Sequence, residues 1–530
     1  MLERFSDSMT APGIVPRIGR GLFAVADFDT GDDILHIQTP FLAVLNTERL
    51  GDTCAGCFGK TQFEKTSQEI QLRYCSGCQV PKYCDRVCAG FPAIGVTSNM
   101  MLYIDMSSQD WHLGHRFECS IFKALKPRVL PTNARAVLRI ILRLAAPARS
   151  AYSPKELSLL DQLESHIDEI RDKNTASWER TTLSAMAVKH YSGTDMELEE
   201  ILELSAKLEV NSFSLTTATY DRIGMYMHPY AAIMNHDCHY NAIVGFDGPQ
   251  MYVKAIRPIK DGEQIVISYV DATHRYSIRK KELLERYYFT CRCDKCLVDE
   301  DEPLAMSDAV ADAYALLESN SATYEGDKLL GIITNLTDNT WSLSDQPLVA
   351  LVDEYIATLI SEGEMESAMS AAALRYKYID PDIYSEAHSL RVVHAWALAK
   401  IAIHIEHTSV MAVLKVYGYT TADGVVHQGE KIVVNPGMIA WSVLNSLVFE
   451  GHGSCVVPGL KDIIRRTHTQ VHDEFLEQGT DMREMNDRVR IEWEKVERAA
   501  KSIVGDRTMT PINAPLLPTA DSDLSDLDVW

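Results

Sequence analysis

Long apolar runs are missing from this chain of 530 residues. The apolar stretch AVLRIILRLAAPA is interrupted by Arg139 and Arg143, and the N-terminal MLERFSDSMTAPG lacks the hydrophobic centre of a signal peptide. With neither a spanning nor an export segment, the chain is expected inside the cell, in cytoplasm, nucleus or both, with no membrane partner. Basic residues are also in short supply: 51 Lys and Arg face 74 Asp and Glu, a net charge of −23. Such a surface repels phosphate backbones and no basic patch offsets it, so direct nucleic-acid binding, including a DNA-binding zinc protein, is disfavoured. It attracts basic partners, histone tails among them. Neither a basic import cluster nor a clean 34-residue repeat is evident. A chain of this length exceeds one core and predicts two to four domains.

Cysteine, by contrast, is present and patterned. Inside the cell the twelve cysteines are expected as thiols, and their clustering then points to metal rather than to disulfides. CAGC supplies Cys54 and Cys57, CSGC supplies Cys75 and Cys78, KYCDRVC supplies Cys84 and Cys88, and HRFEC supplies His115 and Cys119. Seven thiolates and one imidazole make two four-ligand sets, each enough to close a tetrahedral structural zinc site. Further along, YYFTCRCDKC offers Cys291, Cys293 and Cys296, one ligand short of a set. Cys238, in the polar turn MNHDCHYN, is the candidate fourth ligand. An ion there would clamp the turn at Asn235 to Cys238 against a segment distant in sequence. Cys455, in the glycine-rich GHGSC, is left over and reads as an ordinary loop residue.

Alternating apolar positions in MYVKAI and QIVISYV predict strands with KDGEQ as the turn between them. IGRGLFAVADFDTGDDIL predicts a Gly-Arg-Gly turn, a strand, a second turn and another strand. Residues 131–210 read as helical, KELSLLDQLESHIDEIRD showing apolar spacings of three and four. Residues 304–505 read as helical again, as in ALAKIAIHIEH and HDEFLEQGTDMREMNDRVRIEWEKVERAAKS. VDEDEP, 298–303, reads as a linker. The last 25 residues, 506–530, read as a disordered acidic tail in which Leu524, Leu527 and Trp530 could form a short partner-binding motif.

The order Cys-x2-Cys, Cys-x2-Cys, Cys-x3-Cys, His-x3-Cys resembles the MYND zinc finger, and Trp111 in QDWHLGH falls where that finger carries its tryptophan. Taken with GRGLFA (19–24), NSFS (211–214), NHDC (235–238), GEQIVISYVD (262–271) and YYFTCRCDKC (287–296), the chain resembles the SMYD family of SET and MYND domain-containing protein-lysine methyltransferases, as a fungal-like or other divergent member. The likeness covers about residues 10–300. It implies an α+β fold whose SET β-fold has its N-terminal part at 10–50 and its core at 211–280, interrupted by a MYND finger at 54–119 and a helical insert region at 120–210. A post-SET zinc module at 281–298, an α-helical TPR-like domain at 304–505 and the tail at 506–530 complete the implied order. Residues 89–108, AGFPAIGVTSNMMLYIDMSS, depart from the family pattern. They read either as a surface loop, which costs little to close, or as an intron retained in the reading frame. Asp237 after the Asn-His pair and Tyr240 before the final Asn depart as well, which bears on rate and substrate choice more than on fold.

By resemblance, Cys54, Cys57, Cys84 and Cys88 hold one zinc ion, Cys75, Cys78, His115 and Cys119 a second, and Cys238 completes a third with Cys291, Cys293 and Cys296. Asn235 and His236 line an S-adenosylmethionine site whose other wall is Gly19, Arg20 and Gly21. Glu164 in LESH resembles an acidic cofactor contact, and Phe289 packs on the cofactor once zinc orders its segment. Tyr269 matches the catalytic tyrosine beside the cofactor, while Tyr287 and Phe213 match aromatics lining a lysine channel. The implied activity is methyl transfer to the side-chain amine of a lysine in a protein, histone or other, by a monomer that meets further partners through its finger. In-line displacement asks for alignment more than for a strong base, in agreement with the lack of an obvious catalytic carboxylate. The rival reading is a catalytically weak or inactive MYND-type adaptor; the joint presence of Asn235, His236 and Tyr269 favours the enzyme.

Overall fold

β1 (Thr10–Val15) folds back on β2 (Gly19–Ala24) as an antiparallel hairpin, with Thr10 opposite Ala24 and Val15 opposite Gly19. In this computed structural model the free side of β2 pairs with β12 (Gln264–Ile267), and β12 runs parallel to the two-residue β9 (Asn235–His236). The structure describes all residues except 1–8, 17–18, 65–69, 86–87, 89–109, 147–151, 301–306, 319–323, 339–341, 421–425, 450–454 and 506–530. The segment at 89–108 and the acidic tail with Leu524, Leu527 and Trp530 lie outside the described residues.

Two further sheets have the same logic. One has the order β10 (Ala242–Asp247), β11 (Gln250–Ala255), β3 (Asp33–Ile37), and the other the order β4 (Leu42–Leu45), β8 (Arg222–Met227), β7 (Phe213–Thr216). Each sheet therefore joins a strand from before residue 46 to strands from after residue 212. Their inner faces share one core in which Leu22, Phe28, Phe41, Leu42, Tyr226, Met251 and Ile265 are all buried. Between the two strand sets come a short hairpin of β5 (Arg73–Tyr74) and β6 (Lys82–Tyr83) and then helices: α1 (Lys60–Glu64) before the hairpin, α2 (Arg116–Leu125) and α3 (Thr132–Leu144) after it. The helical stretch continues through α4 (Pro154–Asp161), α5 (Ile167–Lys173), α6 (Thr175–Ser192) and α7 (Leu198–Asn211).

Two local expectations are corrected and a third is refined. The Gly-Arg-Gly segment is no turn: it opens strand β2, Gly19 taking the φ of +114° that side chains resist. The strands expected on either side of KDGEQ exist, but in different sheets. Pro258 interrupts the chain after β11, and Ile259 bridges to Phe28 instead. Finally, the KELSLLDQLESHIDEIRD periodicity does not make one helix. A capping box at Ser153 starts α4, and the left-handed His166, at φ +50°, separates it from α5, while Leu159, Leu160, Leu163 and Ile170 still reach the core or its margin.

By compactness the chain divides into two units, one comprising Met1–Val270, Lys280–Cys291 and Val457–Leu460, the other Asp271–Arg279, Arg292–Val456 and Lys461–Trp530. The second unit is mainly helical. Helices Leu348–Glu362, Met365–Leu374, Ser389–Thr408 and Pro436–Phe449 pack in sequence, and Met482–Val504 packs on the second and fourth of them. In MESAMSAAAL seven of ten side chains are buried, the pattern of a helix enclosed on every side. The long HDEFLEQGTDMREMNDRVRIEWEKVERAAKS stretch is helical on both sides of Gly479, whose φ of +75° ends the first helix. A difference lies between residues 412 and 434: AVLKV and EKIVV alternate buried and exposed and pair as an antiparallel ribbon inside a stretch expected to be helical throughout.

Candidate active site

Strand β9 is only two residues long, yet it fixes the centre of the site. Val266 lies opposite Asn235 and Ile267 opposite His236, and Asn241 ties the same turn down from its far end. The fully buried Asn241 accepts from the Val266 amide at 2.9 Å through Oδ1 and donates to the Gln264 carbonyl at 2.8 Å through Nδ2. Both bonds go to the backbone, which makes Asn241 a clamp that the sequence reading passed over as the final residue of a motif. Asn235 reaches the other way and donates Nδ2 to the Arg20 carbonyl at 2.8 Å, joining the turn to β2. Gly21 lies where those side chains converge. A Cβ there would fall 2.7 Å from Gln264 Nε2, 2.8 Å from Val15 Cγ2 and 3.0 Å from Asn235 Nδ2. Only glycine leaves that space.

Tyr269 follows β12 by two residues and lies in the loop beyond the strand. Its amide donates to His236 Nδ1 at 3.0 Å and its hydroxyl donates to the Met234 carbonyl at 2.6 Å. Because Nδ1 accepts, the neutral imidazole carries its proton on Nε2, which faces Cys238 Sγ at 3.3 Å. Around the Tyr269 ring stand Tyr287 at 4.9 Å, His236 at 5.4 Å and Phe289 at 6.4 Å, the last edge-on at 90°. Burial, and then the neighbouring Tyr287, push the Tyr269 phenol well above its ordinary value; burial raises Tyr287 too. Both stay protonated at neutral pH.

The loop that breaks α4 from α5 forms an outer margin. Gln162 Oε1 accepts from Arg20 Nη1 at 2.7 Å, and the His166 ring lies 5.3 Å from that of Tyr288. Glu164 is in this loop, but its carboxylate is exposed; it is its backbone carbonyl that takes the Asn211 amide at 2.8 Å. Phe213 opens β7 opposite Tyr226, half-buried against the core, and is not among the described rings around Tyr269. The structure thus brings Arg20, Gly21, Asn235, His236, Tyr269, Tyr287 and Phe289 into one neighbourhood, with Gly19 next along β2, Glu164 in the outer loop and Phe213 in β7.

Three groups of sulfur and imidazole donors lie in the described residues, one of them against His236 of this site. They are Cys54, Cys57, Cys84 and Cys88; Cys75, Cys78, His115 and Cys119; and Cys238, Cys291, Cys293 and Cys296, with all donor atoms of a group within 4.8 Å of one another. Four sulfurs at about 2.3 Å from a shared zinc ion stand about 3.8 Å apart, and Cys57 to Cys84 measures 3.9 Å while Cys75 to Cys119 measures 3.8 Å. His115 turns Nε2 to Cys75 and Cys78 at 3.3 and 3.5 Å. Each group holds four soft donors and no carboxylate, the chemistry of a closed structural zinc site. Cys455 takes no part in these groups.

The SET domain family is matched over residues 19–270. "SET domain and MYND-type zinc finger protein 6" of Schizosaccharomyces pombe is 26% identical over 368 residues, 69% of this chain and 67% of its own. "Histone-lysine N-methyltransferase SMYD3" of Mus musculus is 25% identical over 405 residues, covering 73% of this chain and 86% of its own. Across this stretch the chain is similar to SET and MYND proteins of the SMYD family.

A third relative, "Histone-lysine N-methyltransferase ASHR1" of Arabidopsis thaliana, is 29% identical over 307 residues, 56% of each chain. The three donor groups agree with three zinc ions. The matched stretch, 19–270, includes every strand of the three sheets except β1. Among the described residues no helix is long and apolar enough to cross a membrane.

Proposed function

We propose that this chain transfers a methyl group from S-adenosylmethionine to the side-chain amine of a lysine in a protein substrate. The observation that carries the reading is the Tyr269 hydroxyl, bonded at 2.6 Å to the Met234 carbonyl inside a collar of His236, Tyr287 and Phe289. S-adenosylmethionine, when bound, supplies a methyl group on a positively charged sulfur. Asn235, His236 and the Gly19–Gly21 segment would hold it, Gly21 leaving the room that any larger residue would fill. With its proton committed to Met234, the Tyr269 oxygen turns its lone pairs to an incoming amine and orients it. A raised phenol pKa rules Tyr269 out as a base at neutral pH. The ammonium must therefore lose its proton before it enters the apolar ring collar, which disfavours the charged form. Alignment supplies the remaining rate.

The zinc held by Cys238, Cys291, Cys293 and Cys296 would fix the Asn235–Cys238 turn, and Phe289 with it. Four protein ligands would leave it no open position, so its part would be structural. The assignments of residues 10–50 and 211–280 to the SET fold and of 54–119 to the finger are part of this reading, as is a monomer working in cytoplasm, nucleus or both. The −23 charge favours a basic substrate segment, a histone tail among the candidates, and the finger supplies a second place for protein partners. Mass spectrometry of proteins methylated by the purified enzyme, with Tyr269→Phe as control, tests the proposal. Methylated lysines that vanish in the control support it. Cofactor binding without transfer to any protein would leave the adaptor reading standing.

A further inference from the structure

Helix α3 carries arginines at positions 135, 139 and 143, one per turn on a single face, and all three are buried or nearly so. Their guanidinium groups meet the open edge of β4, the outermost strand of its sheet. Arg135 Nη2 donates to the Leu45 carbonyl at 2.8 Å, Arg139 Nη1 to the Ala43 carbonyl at 2.9 Å, and Arg143 Nη1 to the Phe41 carbonyl at 2.8 Å. Four residues of helix rise about 6 Å and two residues of strand about 6.6 Å, so the two repeats stay in step over three rungs.

The middle rung does more than its neighbours. Arg139 grips Glu118 with two parallel bonds, Nε to Oε1 at 2.7 Å and Nη2 to Oε2 at 2.8 Å, and its Nη1 lies 2.9 Å from Asp110 Oδ1. Asp110 in turn accepts the Tyr83 hydroxyl at 2.6 Å. Glu118 is fully buried and, gripped by both prongs of the Arg139 guanidinium, is held in one orientation. That carboxylate faces His115. Oε2 is 3.8 Å from Nδ1, which is buried and has no hydrogen-bond partner among the described residues, while Nε2 of the same ring points at Cys75 and Cys78. A histidine that gives one nitrogen to a metal needs an acceptor for the proton on the other, and such acceptors govern ring orientation and metal retention.

We propose that Arg139 is a positioning residue for the metal at Cys75, Cys78, His115 and Cys119. Anchored to the edge of β4, it fixes Glu118 at the Nδ1 side of His115 and so sets the tautomer in which Nε2 binds the ion. The inference rests on the zinc reading of that group and assigns Arg139, Glu118 and Asp110 a task within it. Arg135 and Arg143, which touch no carboxylate of the finger among the described contacts, do not share this task.

The test is zinc content of the purified full chain, followed by release to a chromogenic chelator. Arg139→Lys keeps the charge but loses the fork, and Glu118→Gln keeps the shape but loses the anion; Arg135→Lys disturbs the ladder alone. Three equivalents are expected in the wild-type protein. One of them should leave about 10- to 100-fold faster in the Arg139 and Glu118 variants, with the other two unchanged and the Arg135 variant like wild type. Wild-type release in both Glu118→Gln and Arg139→Lys overturns the proposal, even if either variant melts earlier. Equal acceleration in Arg135→Lys would make the effect one of edge packing and overturn it too. A wild-type chain without zinc would remove the metal reading itself.

Discussion

His236 bridges Tyr269 and Cys238, accepting the Tyr269 amide at Nδ1 over 3.0 Å and presenting Nε2 to the Cys238 sulfur at 3.3 Å. One imidazole thus joins the proposed catalytic loop to a proposed metal ligand. His236→Ala is expected to cut single-turnover methyl transfer by at least about 10-fold and to speed zinc loss from the Cys238 group, a combined effect typical of outer-shell partners. Labelled-cofactor turnover and chelator release on the same preparation check this. A variant with normal values in both would show the bridge to be incidental.

Tyr269→Phe removes one hydroxyl and leaves the Met234 carbonyl without that donor. Transfer is expected to fall by about 10²- to 10³-fold, the usual loss when a positioned donor or acceptor is deleted from a reacting centre. Stability should change by no more than about 1–3 kcal/mol, the cost of one unsatisfied buried group. Turnover above a tenth of the wild-type value would remove Tyr269 from the mechanism.

Gly21→Ala tests the cofactor wall. With three atoms at 2.7 to 3.0 Å from the new Cβ, the strand must shift, at a cost of about 1–3 kcal/mol in stability. Calorimetry should show S-adenosylmethionine bound at least about 10-fold more weakly, since Asn235 is one of the atoms displaced. Unchanged affinity would place the cofactor elsewhere.

Acid should loosen the protein before its carboxylates titrate fully. His228, His388 and His468 are buried, and burial, the largest influence on each, lowers all three to about 4 from an ordinary 6.5. His388 also accepts the Leu390 amide at Nδ1 over 3.2 Å, which requires the neutral ring. The unfolded chain binds protons at these histidines more readily, so stability is full above about pH 6.5 and falls as pH drops towards 4. A loss on the order of 1–3 kcal/mol per histidine is expected. Denaturant melts at pH 7 and pH 5 measure it, and glutamine at His388 should flatten part of the slope.

Much of the site could be read from the chain because its signals are local or motif-bound. CAGC, CSGC and the paired spacings single out donors that the structure gathers into groups, and Cys238 was the candidate for the place the later triplet leaves open. The clamp at Asn241, the Arg20–Gln162 bond and the Arg139 fork could not be read this way. Each joins a side chain to a carbonyl, amide or carboxylate some twenty or more residues away, and such bonds leave no period. Strand pairing was hidden for the same reason: β11 and β12 are neighbours in sequence, while their partners β3 and β2 lie more than 200 residues upstream. The ribbon of residues 412–434 did alternate, but over only five residues a side, too short to stand out against long helical flanks.

The threading of the three sheets has a consequence for how the chain matures. β2, β3 and β4 leave the ribosome early, and each must wait for β12, β11 or β8, whose residues are made after the whole finger and the helices beyond it. Cys54 through Cys119 emerge together in that interval. Zinc can therefore cross-link the middle of the protein while β3 and β4 still lack the partners that complete their sheets.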